Sequence, residues 1–152
     1  LLEARRKGAE AFFFTLEMTR EEAQQGLSAM GSTDLAKSVA VETSDDIDAE
    51  FIIAALKSVS PGAVVVVDYL QRLDERRDKR LLSQQLDMLQ SFAREKGIAI
   101  IFIAQIDRAF DAEHSDVPSA LDVRLSNPFS MDVFKKRLFL HEGKTRVEDR
   151  FA

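Results

Sequence analysis

The sequence predicts an α/β domain in which a mostly parallel sheet is flanked by helices and followed by a C-terminal β-hairpin. Three apolar, strand-sized segments alternate with helical segments, which is typical of doubly wound parallel sheets. The central segment, residues 63–67, is Ala-Val-Val-Val-Val. It has no polar alternation, so we expect both of its faces to be covered. Asp68 follows directly, at the carboxyl edge where ligands bind to open α/β sheets.

Composition limits the possible functions of the chain. Its 152 residues, 45% hydrophobic and 31% charged, fit one compact domain. The net charge of -5 requires any nucleic-acid contact to come from local basic loops. The absence of cysteine excludes disulfides, thiolate zinc sites and a cysteine nucleophile and is compatible with a reducing compartment, so we expect a cytoplasmic protein. The longest apolar runs are too short to span a bilayer, and we expect no membrane partner.

The first third of the chain predicts helix, strand and helix. Residues 1–7 carry basic residues suited to the last turns of a helix, and Gly8 suits its C-terminal cap. Residues 9–14 include three phenylalanines and predict a buried strand, which delivers Glu17 to the edge of the sheet. Residues 19–30 open with a Thr-x-x-Glu capping box and predict the next helix.

The middle of the chain predicts two further helices. A short strand is expected within residues 35–41, and the Ser-Asp-Asp of residues 44–46 predicts the start of a helix that runs to residue 56. Residues 72–80 are a dense run of mixed charge, which usually forms a solvated loop or a helix start. Residues 82–96 then have apolar side chains at helical spacing and predict a long amphipathic helix.

The last third begins with a third apolar strand, residues 98–104. Residues 110–134 are less regular, with one helical turn expected between two prolines and another begun by Ser130. That length is unusual for a simple connection and indicates a functional loop. Residues 136–141 and 144–148 predict a hairpin closed by a tight Glu-Gly turn.

Three polar side chains follow the predicted strands at one edge: Glu17, Asp68 and Gln105. Phosphoryl transfer from a nucleoside triphosphate needs a carboxylate for the metal, a base for the attacking water and a polar group near the γ-phosphate. The three residues supply those types. Structural roles are the alternative: Asp68 could cap a turn, Glu17 could be the acidic first turn of a helix, and Gln105 could satisfy loop backbone.

A phosphate-binding loop, Gly-x-x-x-x-Gly-Lys-Ser/Thr, does not occur in these residues. Residues 143–145, Gly-Lys-Thr, match only its end, because Leu138 stands where the first glycine is required. We expect them to form a hairpin turn. The chain opens without methionine, and we expect it to be a fragment whose phosphate loop lies just before Leu1. These 152 residues are therefore expected to bind ATP poorly.

Three motifs in order resemble the ATPase core of DnaB-type hexameric replicative helicases, a branch of the RecA-like P-loop NTPases. Residues 13–19, Phe-Phe-Thr-Leu-Glu-Met-Thr, resemble the segment with that family's catalytic glutamate. Residues 66–71, Val-Val-Asp-Tyr-Leu-Gln, are similar to its Walker B strand, and residues 103–108, Ile-Ala-Gln-Ile-Asp-Arg, to its sensor segment. The resemblance covers roughly residues 1–110 and implies a RecA-like sheet.

The resemblance also implies roles for individual residues. Glu17 would be the catalytic base, Asp68 would hold Mg²⁺, and Gln105 would sense the γ-phosphate of ATP. Residues 121–124, Leu-Asp-Val-Arg, resemble the Asp-Leu-Arg that precedes the family's pore loop. Arg124 would thus contact the backbone of single-stranded DNA.

The remaining family features are matched less closely. The family's Gly-Ser-rich continuation of the pore loop is replaced by residues 125–129, Leu-Ser-Asn-Pro-Phe. Residues 135–137, Lys-Lys-Arg, are the only candidate for an arginine finger that reaches a neighbouring subunit. The family forms homo-oligomers, typically hexamers, and we expect self-association here as well.

The leading hypothesis for residues 1–152 is a single RecA-like ATPase domain, without its Walker A strand and loop, from an ATP-dependent DNA helicase-like motor that acts on single-stranded DNA. Two alternatives stay open. One is a non-catalytic RecA-like scaffold that binds a partner. The other is a regulatory ATPase that does not unwind DNA.

Overall fold

A computed structural model describes residues 1–74, 80–110, 116–125, 127 and 129–149. These residues form a four-stranded parallel sheet in the order β2-β1-β3-β4, and a separate antiparallel hairpin of β5 and β6. The helices are α1 Leu2–Arg6, α2 Arg20–Met30, α3 Thr33–Lys37, α4 Ala49–Ala55 and α5 Leu82–Lys96. The strands are β1 Ala11–Thr15, β2 Ala40–Glu42, β3 Val64–Asp68, β4 Ala99–Ile103, β5 Lys136–His141 and β6 Lys144–Asp149.

The three longer parallel strands end level with one another. In the register of the sheet, Thr15 of β1 is paired with Asp68 of β3, and Asp68 is paired with Ile103 of β4. The carboxyl ends of these strands therefore meet at one edge, as the sequence predicted. Residues that follow each strand by one or two positions are consequently neighbours in space.

One face of the sheet is covered by α4 and α5. Val65 and Val67 of β3 point toward these helices and are buried, as is Phe14 of β1. The apolar positions of the helices complete this core. Its buried helical members are Ala49, Ile52, Leu82, Leu86 and Leu89.

The opposite face is only partly covered. Helices α1, α2 and α3 pack over β1 and β2, in a second core that includes Phe13 and Val41. They do not extend across β4, where Ile101 is 50% exposed and Ile103 is 45% exposed. The expectation that the central strand is covered on both faces is met in full on the side of Val65 and Val67. It is met only in part on the opposite side, where Val64 and Val66 are half-buried.

Local sequence signals account for several element ends. Thr19 and Glu22 form the predicted capping box of α2, with the Glu22 backbone N–H donating to Thr19 Oγ1 at 3.2 Å. Gly97 ends α5 in the left-handed conformation, with φ of 66°. The hairpin turns through Glu142 and Gly143, both at positive φ. The predicted hairpin is confirmed, and Gly143-Lys144-Thr145 lies in its turn and the start of β6.

Two expectations differ from the structure in their bounds. The short strand expected within residues 35–41 is β2, Ala40–Glu42, at the end of that range. The residues before it form helix α3, because the Ser32 side chain accepts a hydrogen bond from the Leu35 backbone N–H at 3.3 Å and caps a helix there. Helix α4 begins after Asp48, whose carboxylate accepts from the Phe51 backbone N–H at 2.7 Å, and not at residues 44–46.

The segments around the mixed-charge run and the irregular region contain three 3₁₀ turns: Leu70–Asp74, Ala120–Asp122 and Met131–Val133. The last two are the helical turns that the sequence predicted. Within the mixed-charge run, residues 75–79 lie outside the described residues, as do residues 126 and 128 of the segment after Arg124. In the described part of the chain, no helix combines the length and the apolar character needed to cross a membrane.

Candidate functional site at the carboxyl edge of the sheet

Glu17, Asp68 and Gln105 occupy the same edge of the sheet. Asp68 is the last residue of β3, while Glu17 and Gln105 each follow the end of their strand by two positions. The paired register of the three strands makes these positions neighbours. The structure thus places the three residues that the sequence singled out at the same edge of the sheet.

Asp68 lies in the most enclosed environment of the three. Burial is the main cause that raises the pKa of the Asp68 carboxyl, and the negative charge of Glu17 raises it further. A hydrogen bond from the Thr15 hydroxyl to the Asp68 carboxylate acts in the opposite direction. Asp68 is therefore a carboxylate whose negative charge is incompletely compensated within the chain, which suits it to bind a cation.

Thr15 links Asp68 to Glu17. Its side chain is fully buried at the end of β1, and its Oγ1 accepts a hydrogen bond from the Glu17 backbone N–H at 3.2 Å. One hydroxyl can donate and accept at the same time. The Leu16 backbone N–H also donates to the Asp68 carbonyl, at 3.4 Å. These bonds hold the segment that carries Glu17 against the end of β3.

Glu17 extends into solvent, where it pairs with Arg72. Arg72 Nε lies 3.2 Å from Glu17 Oε1, with the two side chains 35% and 38% exposed. The Arg72 guanidinium carbon also lies 5.8 Å from the centre of the Tyr69 ring, within range of a cation–π contact. The carboxylate of Glu17 is thus oriented by a cation from the turn that follows β3.

Arg124 is brought next to this edge by the segment that pairs with the residues after β4. The Arg124 backbone N–H donates to the Gln105 carbonyl at 3.0 Å, and an isolated antiparallel bridge joins Ile106 to Val123. The side chains of Gln105 and Arg124 are both exposed. The candidate γ-phosphate sensor and the candidate DNA contact are therefore connected through their backbones.

The donor atoms present at this edge fit Mg²⁺. Mg²⁺ prefers oxygen ligands and is usually held by one or two carboxylates together with substrate phosphates and waters. Asp68 supplies a half-buried carboxylate, and Thr15 supplies a hydroxyl beside it. No group of three metal-ligating side chains occurs among the residues that the structure describes. A phosphate-cradling loop is absent from the 152 residues.

The sequence did not predict a role at this edge for three residues: Thr15, Gln71 and Arg72. Thr15 could have been predicted, because it is a polar residue at the end of an apolar strand. Gln71 lies between the buried Leu70 and Leu73, which could have indicated a buried amide. Arg72 begins a run of charges, and nothing in its neighbours distinguishes it from solvated residues.

Comparison with known proteins identifies the family. The profile of the DnaB-like helicase C terminal domain matches residues 17–133. The structure is similar to a solved structure of an ATPase domain, with a TM-score of 0.62 and 15% sequence identity over 81% of this chain and 56% of that chain. It is also similar to a DnaB-like replicative helicase whose structure was solved to study its interactions with primase, with a TM-score of 0.56 and 15% identity over 78% of this chain and 37% of that chain.

No curated protein sequence matches the chain. The chain spans just over half of the similar ATPase domain and just over a third of the replicative helicase. At 15% identity these structural similarities establish the fold, and they confirm the predicted RecA-like arrangement of a parallel sheet, flanking helices and a C-terminal hairpin. Since the matching profile covers well over half of its residues, the chain belongs to the DnaB-like helicase C-terminal domain family.

Proposed function

We propose that residues 1–152 act as a single RecA-like unit of a motor that hydrolyses ATP and uses the energy to bind or move along single-stranded DNA. The observation that carries the proposal is the placement of Glu17, Asp68 and Gln105 on one sheet edge, level with the paired ends of their strands. A carboxylate pair and an amide in this arrangement match the needs of phosphoryl transfer to water. Membership of the helicase family supports the same reaction.

Each residue has a chemical task in this proposal. Glu17 accepts the proton of the attacking water, since its carboxylate extends from the edge and is oriented by Arg72. Asp68 would hold Mg²⁺, which would supply positive charge for the phosphates of ATP. The Gln105 side-chain amide is exposed at the same edge, where its N–H can donate a hydrogen bond to the γ-phosphate. Thr15 keeps Asp68 and Glu17 at a fixed separation.

Arg124 is the proposed contact to the DNA backbone. Its side chain is exposed, and a guanidinium suits a phosphate. The net charge of -5 means that DNA binding depends on such local cations rather than on the overall field. Following the family, we further propose that the protein works in the cytoplasm as a homo-oligomer, with a hexamer as the expected form.

The test is ATP turnover by the complete product of the gene, with Glu17→Gln as the variant. Replacing the base removes a proton acceptor that is worth about 100- to 10,000-fold in rate. We therefore expect turnover to fall by that factor while nucleotide binding is retained. Glu17→Asp is the control that keeps the carboxylate, and it should lose less activity. Turnover by Glu17→Gln equal to that of the wild type would refute the assignment of the base.

A second candidate function is a RecA-like scaffold that binds a partner without hydrolysing ATP, or a regulatory ATPase that does not unwind DNA. The replacement of the family's Gly-Ser-rich pore-loop continuation by residues 125–129, Leu-Ser-Asn-Pro-Phe, favours the scaffold. The same assay separates the three. A folded gene product without turnover supports the scaffold, and turnover without any response to DNA supports the regulatory ATPase.

A further inference from the structure

The side chain of Gln71 joins the two segments that carry Gln105 and Arg124. Gln71 lies in the 3₁₀ turn after β3 and is only 8% exposed. Its Nε2 donates to the Gln105 carbonyl at 3.0 Å and to the Arg124 carbonyl at 2.7 Å, and its Oε1 accepts from the Gln105 backbone N–H at 3.2 Å. Both donor hydrogens and the acceptor of this amide are thus used for backbone groups.

The two segments are also paired with each other. The Arg124 N–H donates to the Gln105 carbonyl at 3.0 Å, and the Asp107 N–H donates to the Asp122 carbonyl at 2.7 Å. The Gln105 carbonyl therefore accepts from both Gln71 and Arg124. A displacement of the Gln105 backbone must either break this set of bonds or move residues 122–124 with it.

The low exposure of Gln71 favours joint movement over bond breaking. Each buried polar group that loses its partner costs more than the same group at the surface, because water cannot replace the partner. Gln71 follows Asp68 by three positions in a turn that is itself anchored, since Gln85 Nε2 donates to the Leu73 carbonyl at 2.7 Å. The bonds of Gln71 thus join both segments to the same turn behind the candidate metal ligand, so neither segment can shift without disturbing the other.

We infer that Gln71 is a positioning residue that couples the nucleotide site to the DNA-contacting segment, by making the backbones of Gln105 and Arg124 move as one unit. The inference rests on the proposed function, in which Gln105 touches the γ-phosphate and Arg124 touches DNA. It adds a route by which a change at the phosphate reaches the DNA contact. The side chain of Gln71 itself contacts neither ligand in this scheme.

The experiment measures amide hydrogen exchange at residues 122–125 of the complete gene product, with and without a non-hydrolysable ATP analogue. In the wild type we expect the analogue to slow exchange in this segment by about tenfold, since it fixes Gln105 and the bonds that depend on it. Gln71→Leu keeps the approximate side-chain size but removes all three bonds of the amide. The effect of the analogue should then decrease, with the remainder carried by the direct bond from the Arg124 N–H to the Gln105 carbonyl. The ratio of DNA-stimulated to basal ATP turnover should fall toward one in parallel.

Gln90→Leu is the matched control. The Gln90 amide also donates to a backbone carbonyl, that of Val133 at 2.7 Å, but from α5 and away from this edge. It should retain both the exchange response and the turnover ratio. If Gln71→Leu does not fold, Gln71→Asn serves instead, because it keeps the amide but is one CH₂ group shorter and cannot hold both segments at once. Its response should be reduced as well.

An exchange response in a folded Gln71 variant that is as large as in the wild type would overturn the inference. A wild type that hydrolyses ATP with no response at residues 122–125 would overturn it as well. In both cases the proposed ATPase function would survive, because turnover in the wild type is measured separately. A wild type that neither binds the analogue nor hydrolyses ATP would overturn the proposed function and the inference together.

Discussion

Gln85 provides a prediction whose size can be worked out from the structure. This α5 residue is 1% exposed and holds three segments together through backbone groups. Its Oε1 accepts from the Ala49 N–H at 3.1 Å, and its Nε2 donates to the carbonyls of Leu73 at 2.7 Å and Arg80 at 2.8 Å. Gln85→Leu keeps the approximate size of the side chain and removes all three bonds.

The Ala49 N–H and the Leu73 carbonyl belong to buried residues, whereas the Arg80 carbonyl belongs to an exposed residue and can turn to water. Two buried groups that lose their partners cost about 1–3 kcal/mol each. The leucine recovers part of this cost by burying apolar surface, about 1–2 kcal/mol. We therefore expect the free energy of unfolding to fall by about 2 kcal/mol, which lowers the melting temperature of a chain of this size by about 4–8 °C.

The assay is urea unfolding of the protein followed by far-ultraviolet circular dichroism, with Gln90→Leu as the control. The Gln90 side chain donates one hydrogen bond in a part-buried position, so Gln90→Leu should lower the free energy of unfolding by less than about 1 kcal/mol. A Gln85→Leu variant that is as stable as the wild type, or no less stable than Gln90→Leu, would show that the amide does not hold these segments together.

Two further predictions concern the candidate site. The pKa of Asp68 is raised above its ordinary value of 3.8, first by burial and then by the charge of Glu17. The folded protein therefore binds a proton at Asp68 more tightly than the unfolded chain does. Because of this, stability falls as the pH rises from 3.8 through the raised pKa. Asp68→Asn should therefore stabilise the protein at pH 7, with no gain below pH 3.8. Urea unfolding at both pH values checks this, and a less stable Asn variant at pH 7 would contradict it. Arg72→Leu removes the cation that orients Glu17, so ATP turnover should fall about tenfold with KM unchanged, and Arg72→Lys should restore part of it. Turnover equal to wild type in Arg72→Leu would exclude an orienting role.

The sequence was sufficient for the architecture because its strongest signals are local. Four consecutive valines indicated a central strand, and the Thr19–Glu22 pair marked the start of α2 where the structure has it. The neighbourhood of Glu17, Asp68 and Gln105 also followed from sequence, since parallel strands of similar length must end at the same edge. Their chemical roles stay predictions.

The missed features depend on contacts between distant segments. Residues 33–37 lack the apolar periodicity of a long helix, and their helical state depends on the Ser32 cap and on packing of Ala36 in the second core. The exposed face of β4 was also not predictable, because Ile101 and Ile103 are as apolar as the buried residues beside them. Whether a face is covered depends on which helices reach it.

The same limit applies to the connections within the site. The ion pair between Glu17 and Arg72 joins residues that are far apart in sequence, as do the bonds from Gln71 to Gln105 and Arg124. A lone glutamine or arginine beside a strand end has many possible partners. Only the fold selects one, so these residues gained roles from the structure alone.

ATP turnover by the complete gene product, measured with and without single-stranded DNA, tests the central claim most directly. The account predicts magnesium-dependent turnover that single-stranded DNA stimulates, and a stimulation that is lost when Arg124 is replaced by alanine. A folded product with no turnover in either condition would contradict the account, and Glu17, Asp68 and Gln105 would then be parts of a scaffold.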